Sequence, residues 1–588
     1  MLFRSQEFPK FKMPKSNLRS AAWFQGDDEV SLAHRVAFAS VGFQIARDNS
    51  KPIIAIADSS SELNPCNLPL RDYIPAIRQG IIDAGGIAVL VPVMSLGEDL
   101  MKPSAMLYRN LLSMEVEEYL RSYPIDGVVL LANCDKSVPG SLMGAFSSNL
   151  PTLMFTAGAR PVPIYKGKRI GTGTDLWRMW ESFRTGAITK EEWADFEKCL
   201  NCGLGACNTM GTASSLAIMV ETLGFMLPGT STIPNGDSRR TSAARQTGLR
   251  IVEMVNEDLT PAKILSPSSF RNAARVMNAC GGSTNTIIHL LALSGRVNGE
   301  MTLQEFERVG RSVPVLANIE PSGTEMIQDF DRAGGLFALL SQLGDLIEPG
   351  AIICTGQKIG ERITQLDSDS SAIRPRSNPL KPDGAFAIVT GNIAPQGAVI
   401  KTSAASSELL KHQGRAVVFH SYEEMRTKVD DLELEVTKDS ILVLSGCGAV
   451  GVPGLPEWGM IPIPKKLAAA GVTDMVRITD ARMSGTSFGT CFLHVSPEGA
   501  IGGNIALIEN GDLIEIDVAA RSISLMVSDE VLAIRRQLWK APKREHLRGW
   551  PALYQERVMQ PDRGCDLDFL CAPTEESRRF VEPVVGRS

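Results

Sequence analysis

The segment Ala132-Asn133-Cys134-Asp135-Lys136-Ser137-Val138-Pro139-Gly140 constrains this chain more than any other. It follows the apolar run Ile125-Asp126-Gly127-Val128-Val129-Leu130-Leu131. Such a run reads as a strand buried on both faces, the pattern of a parallel sheet. Ligands of open α/β sheets gather at the carboxyl ends of strands. Here that end carries a thiol, a carboxylate and an amine on consecutive residues. Soft sulfur beside hard oxygen suggests two different metals.

The surrounding sequence supports a parallel-sheet α/β class. Residues 51–57 and 86–92 read as strands, and 70–84 and 104–123 as helices. This alternation is the rhythm of βαβ units. Residues 209–223 read as a helix beginning just after Cys207. Asp367–Ser371 and Arg374–Leu380 read as a polar, proline-bearing linker. Beyond it the segments shorten, at 385–390, 416–420, 441–445, 475–479 and 490–495. The pair Asn510-Gly511 within 505–517 is a hairpin signal, and Ile514, Ile516 and Val518 alternate with polar residues. The expected division is an arm (1–17), an α/β domain (18–380) and a β-barrel domain with a C-terminal helical segment (381–588).

A chain of 588 residues exceeds one core, so two or more domains are expected. A net charge of −6 gives no basic footprint for nucleic acid, and no apolar run is long enough to span a membrane. Eleven cysteines, an odd number, with no secretion signal point to a reducing compartment, taken as the cytoplasm. The mildly basic residues 1–17 read as a loose arm, less readily as a transit peptide. Six histidines form no HxxxH or HExxH pair, so the chemistry is not expected to run through histidine.

Three cysteines sit in small-residue turns: Asn64-Pro65-Cys66-Asn67, Asn133-Cys134-Asp135 and Gly205-Ala206-Cys207-Asn208. Iron–sulfur clusters take thiolates from such loops, and three ligands would leave one iron open to substrate. Taken singly, each cysteine is more readily a small core hydrophobe. Cys199 and Cys202, spaced CxxC, compete with Cys207, which is preferred because it opens a helix. Glu98, Asp135 and Glu457 offer hard oxygen that suits Mg²⁺, although a lone loop acid is usually just solvated. Ser484, in Asp480-Ala481-Arg482-Met483-Ser484-Gly485, lacks a GxSxG elbow and a nearby histidine, which argues against a hydrolase triad. Beside a metal its hydroxyl is a candidate base; otherwise it is a turn serine.

Together these segments resemble the dihydroxy-acid dehydratase / 6-phosphogluconate dehydratase family. The likeness runs through Cys134–Gly140, Gly281-Gly282-Ser283-Thr284-Asn285 with His289, and Pro321-Ser322-Gly323. It continues through Gly334-Gly335, Gly391–Pro395, Gly397–Lys401, Pro453–Glu457, Asp480–Gly485 and Val527-Ser528-Asp529. Ser95–Glu98, Pro103–Asn110 and Gly171–Trp177 are similar to the sugar-acid branch in particular.

The resemblance implies a [2Fe–2S] cluster on Cys66, Cys134 and Cys207. It implies Mg²⁺ among Glu98, Asp135, Lys136 and Glu457, with Lys136 carbamylated, and Ser484 as the base. Thr212 would touch substrate. A homodimer or homotetramer acting on a small molecule is expected, with neither nucleic acid nor membrane as partner. The implied reaction turns a sugar acid such as arabinonate, xylonate or gluconate into its 2-keto-3-deoxy acid. The alternatives are a dihydroxy-acid dehydratase of branched-chain amino-acid synthesis, a non-catalytic iron–sulfur redox protein, and a structural zinc site on Cys199, Cys202 and Cys207.

Overall fold

The computed structural model describes residues 18–200, 202–297, 299–363, 370–543, 545–571 and 580–587. The expected arm (1–17) and residues 367–369 of the expected linker lie outside them.

Helices α1 (Ala21–Phe24) and α2 (Glu29–Ser40) lead into a four-stranded sheet. Its strands are β1 (Ile53–Asp58), β2 (Ile87–Pro92), β3 (Gly127–Leu131) and β4 (Thr152–Phe155), in the order β2-β1-β3-β4. Every pairing is parallel, with Ile54 facing Ala88 on one side and Gly127 on the other. Parallel strands need crossovers, and here helices α3 (Ile74–Asp83) and α4 (Met106–Ser122) supply them. Helix α5 (Ser137–Ser148) follows β3 and is buried along almost its whole length, so β3 and α5 hold the loop between them rigidly.

After a short hairpin, β5 (Ile164–Tyr165) and β6 (Lys168–Arg169), come α6 (Thr174–Arg184) and α7 (Lys190–Leu200). Their facing sides meet through aromatic rings: Phe183 stacks on Trp193 at 5.3 Å, and Tyr165 meets Phe196 edge-on. Helix α8 (Thr212–Thr222) lies in the core.

The second sheet has eight strands: β7 (Ala387–Val389), β8 (Gly397–Ile400), β9 (Lys411–Phe419), β10 (Ile441–Leu444), β11 (Arg477–Thr479), β12 (Cys491–Ser496), β13 (Leu513–Asp517) and β14 (Ser522–Leu525). Their order is β14-β13-β9-β10-β11-β12-β8-β7, parallel from β9 to β12 and antiparallel elsewhere. The edges meet: Thr390 N–H donates to Arg521 O and Ile523 N–H to Thr390 O, both at 3.0 Å. The sheet is therefore nearly closed, and Val389, Ile400, Val443, Ile478, Phe492, Ile514, Ile516 and Ile523 fill it.

Two local expectations are corrected. Asn510-Gly511 does not join two strands, because Asn504–Leu507 is a 3₁₀ turn. Asn510 Oδ1 instead accepts from Val418 N–H at 2.7 Å, so the turn caps β9 from outside. The hairpin in this region is β13–β14, joined through Val518–Arg521. Residues 370–381 are no free linker either. Arg374 N–H and Leu380 N–H donate to Leu316 O and Val315 O, and Ala372 and Ile373 are buried.

Candidate active site

The three predicted cysteine turns lie side by side because two buried asparagines lace them. Asn67, next to Cys66, accepts from the main-chain N–H groups of Asn133 (3.0 Å) and Cys134 (2.7 Å). Asn133 in turn donates to Cys66 O at 2.8 Å and to Gly158 O at 3.0 Å. The third turn joins through the same strand end, where Ala206 N–H donates to Gly158 O and Arg160 N–H to Ala206 O. Gly205 makes this approach possible: its φ is +126°, and a Cβ there would lie 2.7 Å from Arg160 N. Cys66, Cys134 and Cys207 all border one cavity of about 980 Å³.

The reason given for preferring Cys207 is corrected. Helix α8 begins at Thr212, not beside the cysteine. Met210 N–H is taken by Glu320 O, and Asn208 accepts from Thr172, so tertiary bonds occupy the stretch that sequence reads as helix. Cys207 is distinguished by its place on the cavity. Cys199 and Cys202 instead turn their thiols to the carbonyls of Ile164 and Pro161.

Next to the thiols lies a carboxylate group around Lys136, which is fully buried at the start of α5. Its Nζ is 2.5 Å from Asp135, 3.7 Å from Glu98 and 3.8 Å from Glu457. Burial pushes the Glu98 carboxyl up, and among the described residues its Oε2 has no hydrogen-bond partner. Glu457 arrives from the second half of the chain, held by Arg482 Nη1 at 2.8 Å and Asn285 Nδ2 at 2.7 Å. Arg482 is buried and also donates to Leu455 O (2.6 Å) and Ser104 Oγ (2.9 Å). Ser104 passes a hydrogen bond to Glu98 at 2.9 Å.

Ser484 borders the same cavity on a tight turn, Ser487 N–H donating to Ser484 O at 3.0 Å. Gly485 is pressed against α8, where a Cβ would fall 2.5 Å from Thr212 N. Thr212, also at the cavity, bonds Ser283 Oγ (2.9 Å) and Asn285 Nδ2 (3.2 Å). His289 stands outside the cavity lining. It bonds Arg109 at 3.0 Å, and burial beside that guanidinium holds its pKa far below the imidazole range.

Sequence reasoning assigned no role to Asn67, Asn133, Ser104, Arg160, Asn285 or Arg482. Arg482 and Asn285 lie inside segments already singled out. An arginine in a glycine-rich loop behind a buried strand was the available signal.

The donor set suits the implied cofactors in kind. The Cys66 side chain and burial push the Cys134 thiol well above its ordinary range, and burial pushes Cys207 up to about 12. Thiols so packed become thiolates when a cation lies among them. Among the described residues no three His, Cys, Asp or Glu side chains are gathered for a single metal ion. At the carboxylates the physical reason is visible: the Lys136 ammonium occupies their centre.

The chain matches two family models, dihydroxy-acid/6-phosphogluconate dehydratase N-terminal over residues 51–362 and C-terminal over 371–565. It is 43% identical over 559 residues to a 6-deoxy-6-sulfo-D-gluconate dehydratase of Pseudomonas putida, covering 94% of this chain and 96% of that one. It is 42% identical over 556 residues to an L-arabinonate dehydratase of Rhizobium leguminosarum bv. trifolii, covering 94% and 96%. A dihydroxy-acid dehydratase of Methanobrevibacter smithii is 38% identical over 530 residues, covering 88% and 95%. With this coverage of both halves, the chain belongs to the dihydroxy-acid/6-phosphogluconate dehydratase family and is a hydro-lyase.

Proposed function

We propose that this protein dehydrates an aldonate to the 2-keto-3-deoxy acid. The observation that carries the reading is one cavity bordered at once by Cys66, Cys134 and Cys207, by Glu98, Asp135 and Glu457, and by Ser484. Its wall is rich in hydroxyls, with Thr172, Thr212, Thr486 and Ser487 beside Ser484. The hydroxyls of an aldonate can pair with so polar a wall, to which the alkyl groups of 2,3-dihydroxyisovalerate offer no hydrogen bond. The relatives named for sugar-acid substrates support the same choice.

Cys66, Cys134 and Cys207 would hold a [2Fe–2S] cluster. Glu98, Asp135, Glu457 and a carbamylated Lys136 would hold Mg²⁺, the carbamate turning the central cation into an oxygen donor. When bound, the two groups supply Lewis acidity toward substrate carboxylate and hydroxyl oxygens. Acting as its alkoxide, Ser484 takes the C2 proton on Oγ, the C3–O bond breaks with departure of hydroxide, to which the captured proton passes, and the C2–C3 enol that forms tautomerises to the ketone. The net loss is one water. Arg482 and Asn285 keep Glu457 aimed at the site, and the aromatic wall of Trp177 and Trp458 limits water.

The test is keto-acid formation by anaerobically purified protein with Mg²⁺ on L-arabinonate, D-xylonate, D-gluconate and 2,3-dihydroxyisovalerate. An aldonate should be favoured in kcat/KM by at least about 100-fold. Equal or faster turnover of 2,3-dihydroxyisovalerate overturns the substrate class. Keto acid from none of the four overturns the reaction. Full turnover by Ser484→Ala overturns the base assignment.

A further inference from the structure

Arg160 brings a positive charge to the thiols from a pinned position. Its side-chain Nε donates to Gly205 O at 3.1 Å, two residues before Cys207. Its Nη2 donates to Cys66 Sγ at 3.9 Å. A guanidinium is planar and only ever a donor, so the bond at Nε fixes the plane in which Nη2 reaches the sulfur. One side chain thus ties the turn of Cys207 to the thiol of Cys66. The backbone beneath it is laced as well. Arg160 N–H donates to Ala206 O at 2.8 Å, Asn235 N–H to Ala159 O at 2.9 Å and Gly205 N–H to Pro65 O at 3.1 Å. Asn235 Nδ2 adds a bond to Leu204 O at 3.1 Å.

The charge lacks an ordinary partner. Among the described residues Arg160 makes no ion pair with a carboxylate. A half-buried cation left so is costly unless an anion comes to it. Burial acts to lower the Arg160 pKa, yet the charges that Cys207, Cys66, Asp99 and Cys202 carry when ionised hold it above the ordinary guanidinium value. Asp99 is exposed, so water screens it. Cys202 turns its thiol to Pro161 O. That leaves Cys66 and Cys207, which border the same cavity as Arg160 itself.

We propose that Arg160 is a positioning residue that tunes the iron–sulfur cluster, by donating to the Cys66 sulfur and offsetting thiolate charge. The inference rests on the reading of Cys66, Cys134 and Cys207 as cluster ligands. Hydrogen bonds to ligand sulfurs and charges beside them set the reduction potential of such a cluster. The sign follows from charge. Reduction adds one electron, and a fixed cation nearby favours the more negative product. Arg160 therefore raises the potential, and its removal lowers it. The same pull on the sulfur lone pairs strengthens the Lewis acidity offered to substrate oxygen.

The experiment compares the anaerobically purified holoenzyme with Arg160→Met, Arg160→Gln and Arg160→Lys. Each is titrated with dithionite through redox mediators, and the visible absorption and the electron paramagnetic resonance of the reduced cluster give the midpoint. Arg160→Met keeps the length but neither charge nor donor. Its midpoint should fall by about tenfold in the reduction equilibrium, about 59 mV for a one-electron couple. Arg160→Lys keeps the charge without the fork and should lie between Arg160→Met and the parent. On L-arabinonate, or the panel member turned over fastest in its place, Arg160→Met should lower kcat and leave KM within about twofold. A parental midpoint in Arg160→Met, or Arg160→Lys no nearer the parent than Arg160→Met, overturns the proposal. A raised KM at a parental midpoint would make Arg160 a substrate contact instead, and overturns it too. If Arg160→Met does not fold by circular dichroism or assembles no cluster, Arg160→Gln takes its place under the same criteria. A parent without a cluster overturns the reading of the cysteines and the proposal with it; a parent with a cluster whose potential ignores residue 160 removes the proposal alone.

Discussion

Arg482 shows what a single side chain does at this site. Its fork reaches Glu457, Ser104 and the Leu455 carbonyl from a fully buried position. Lysine carries the charge but not the fork, so the conservative change is not conservative here. Arg482→Lys should stay folded by circular dichroism and lose at least about tenfold in kcat/KM, the equivalent of one hydrogen bond to a charged group. A parental kcat/KM would show that Glu457 is oriented without it. At this scale the sequence was informative about donors and silent about supports. Cys134, Asp135 and Lys136 stand out because reactive groups at a buried strand end are unusual. Asn67, Ser104 and Arg482 do not, because their partners lie far away in the chain and burial of a polar side chain leaves no local pattern.

Among the elements, strands were the most legible. Apolar runs of five to seven residues placed β1, β2, β3 and β10 within a residue or two of where they fold. Turn chemistry misled at Asn510-Gly511, since the pair fits several turns and only the absence of a strand before it decides. Helix propensity misled before α8, because the amide of Met210 is claimed by Glu320 O. The entry to α6 is the element most exposed to a single change. Gly173→Ala places a methyl at φ +93° and against Thr486. It should cost about 1–3 kcal/mol of stability by urea titration. It should also lower kcat more than it raises KM. Unchanged stability and kcat would mean that α6 can shift without disturbing Ser484.

Over the whole molecule, the C-terminal stretch is stapled to the first half. Arg296 and Asp566 are both fully buried and meet at 2.6 Å, while Arg109 donates to Gly564 O and Cys565 O. Burial alone would raise the Asp566 carboxyl, yet Arg296 holds it below the ordinary carboxylate range. Removing one partner leaves a buried charge, so Arg296→Met should lose about 3–5 kcal/mol in urea unfolding. Arg296→Met combined with Asp566→Leu should recover most of it. A folded pKa below the unfolded one means the pair stabilises fully above about pH 4 and less as pH falls. The deficit of Arg296→Met should therefore shrink in acid; a deficit constant down to pH 3 would contradict the pairing. No sequence pattern announced this staple, because an ion pair between residues 270 positions apart has no spacing rule.

The order of these parts along the chain has a consequence for biosynthesis. The ribosome releases Cys66, Cys134 and Cys207 long before it reaches Glu457, Arg482 and Ser484, and Asp566 comes after all of them. An interrupted or nicked chain thus carries the thiols without the loop that faces them. Reactivity becomes a coincidence signal, switched on only when early and late translation products have docked. Fragments cut between residues 207 and 457 should be inert apart and regain turnover only when mixed.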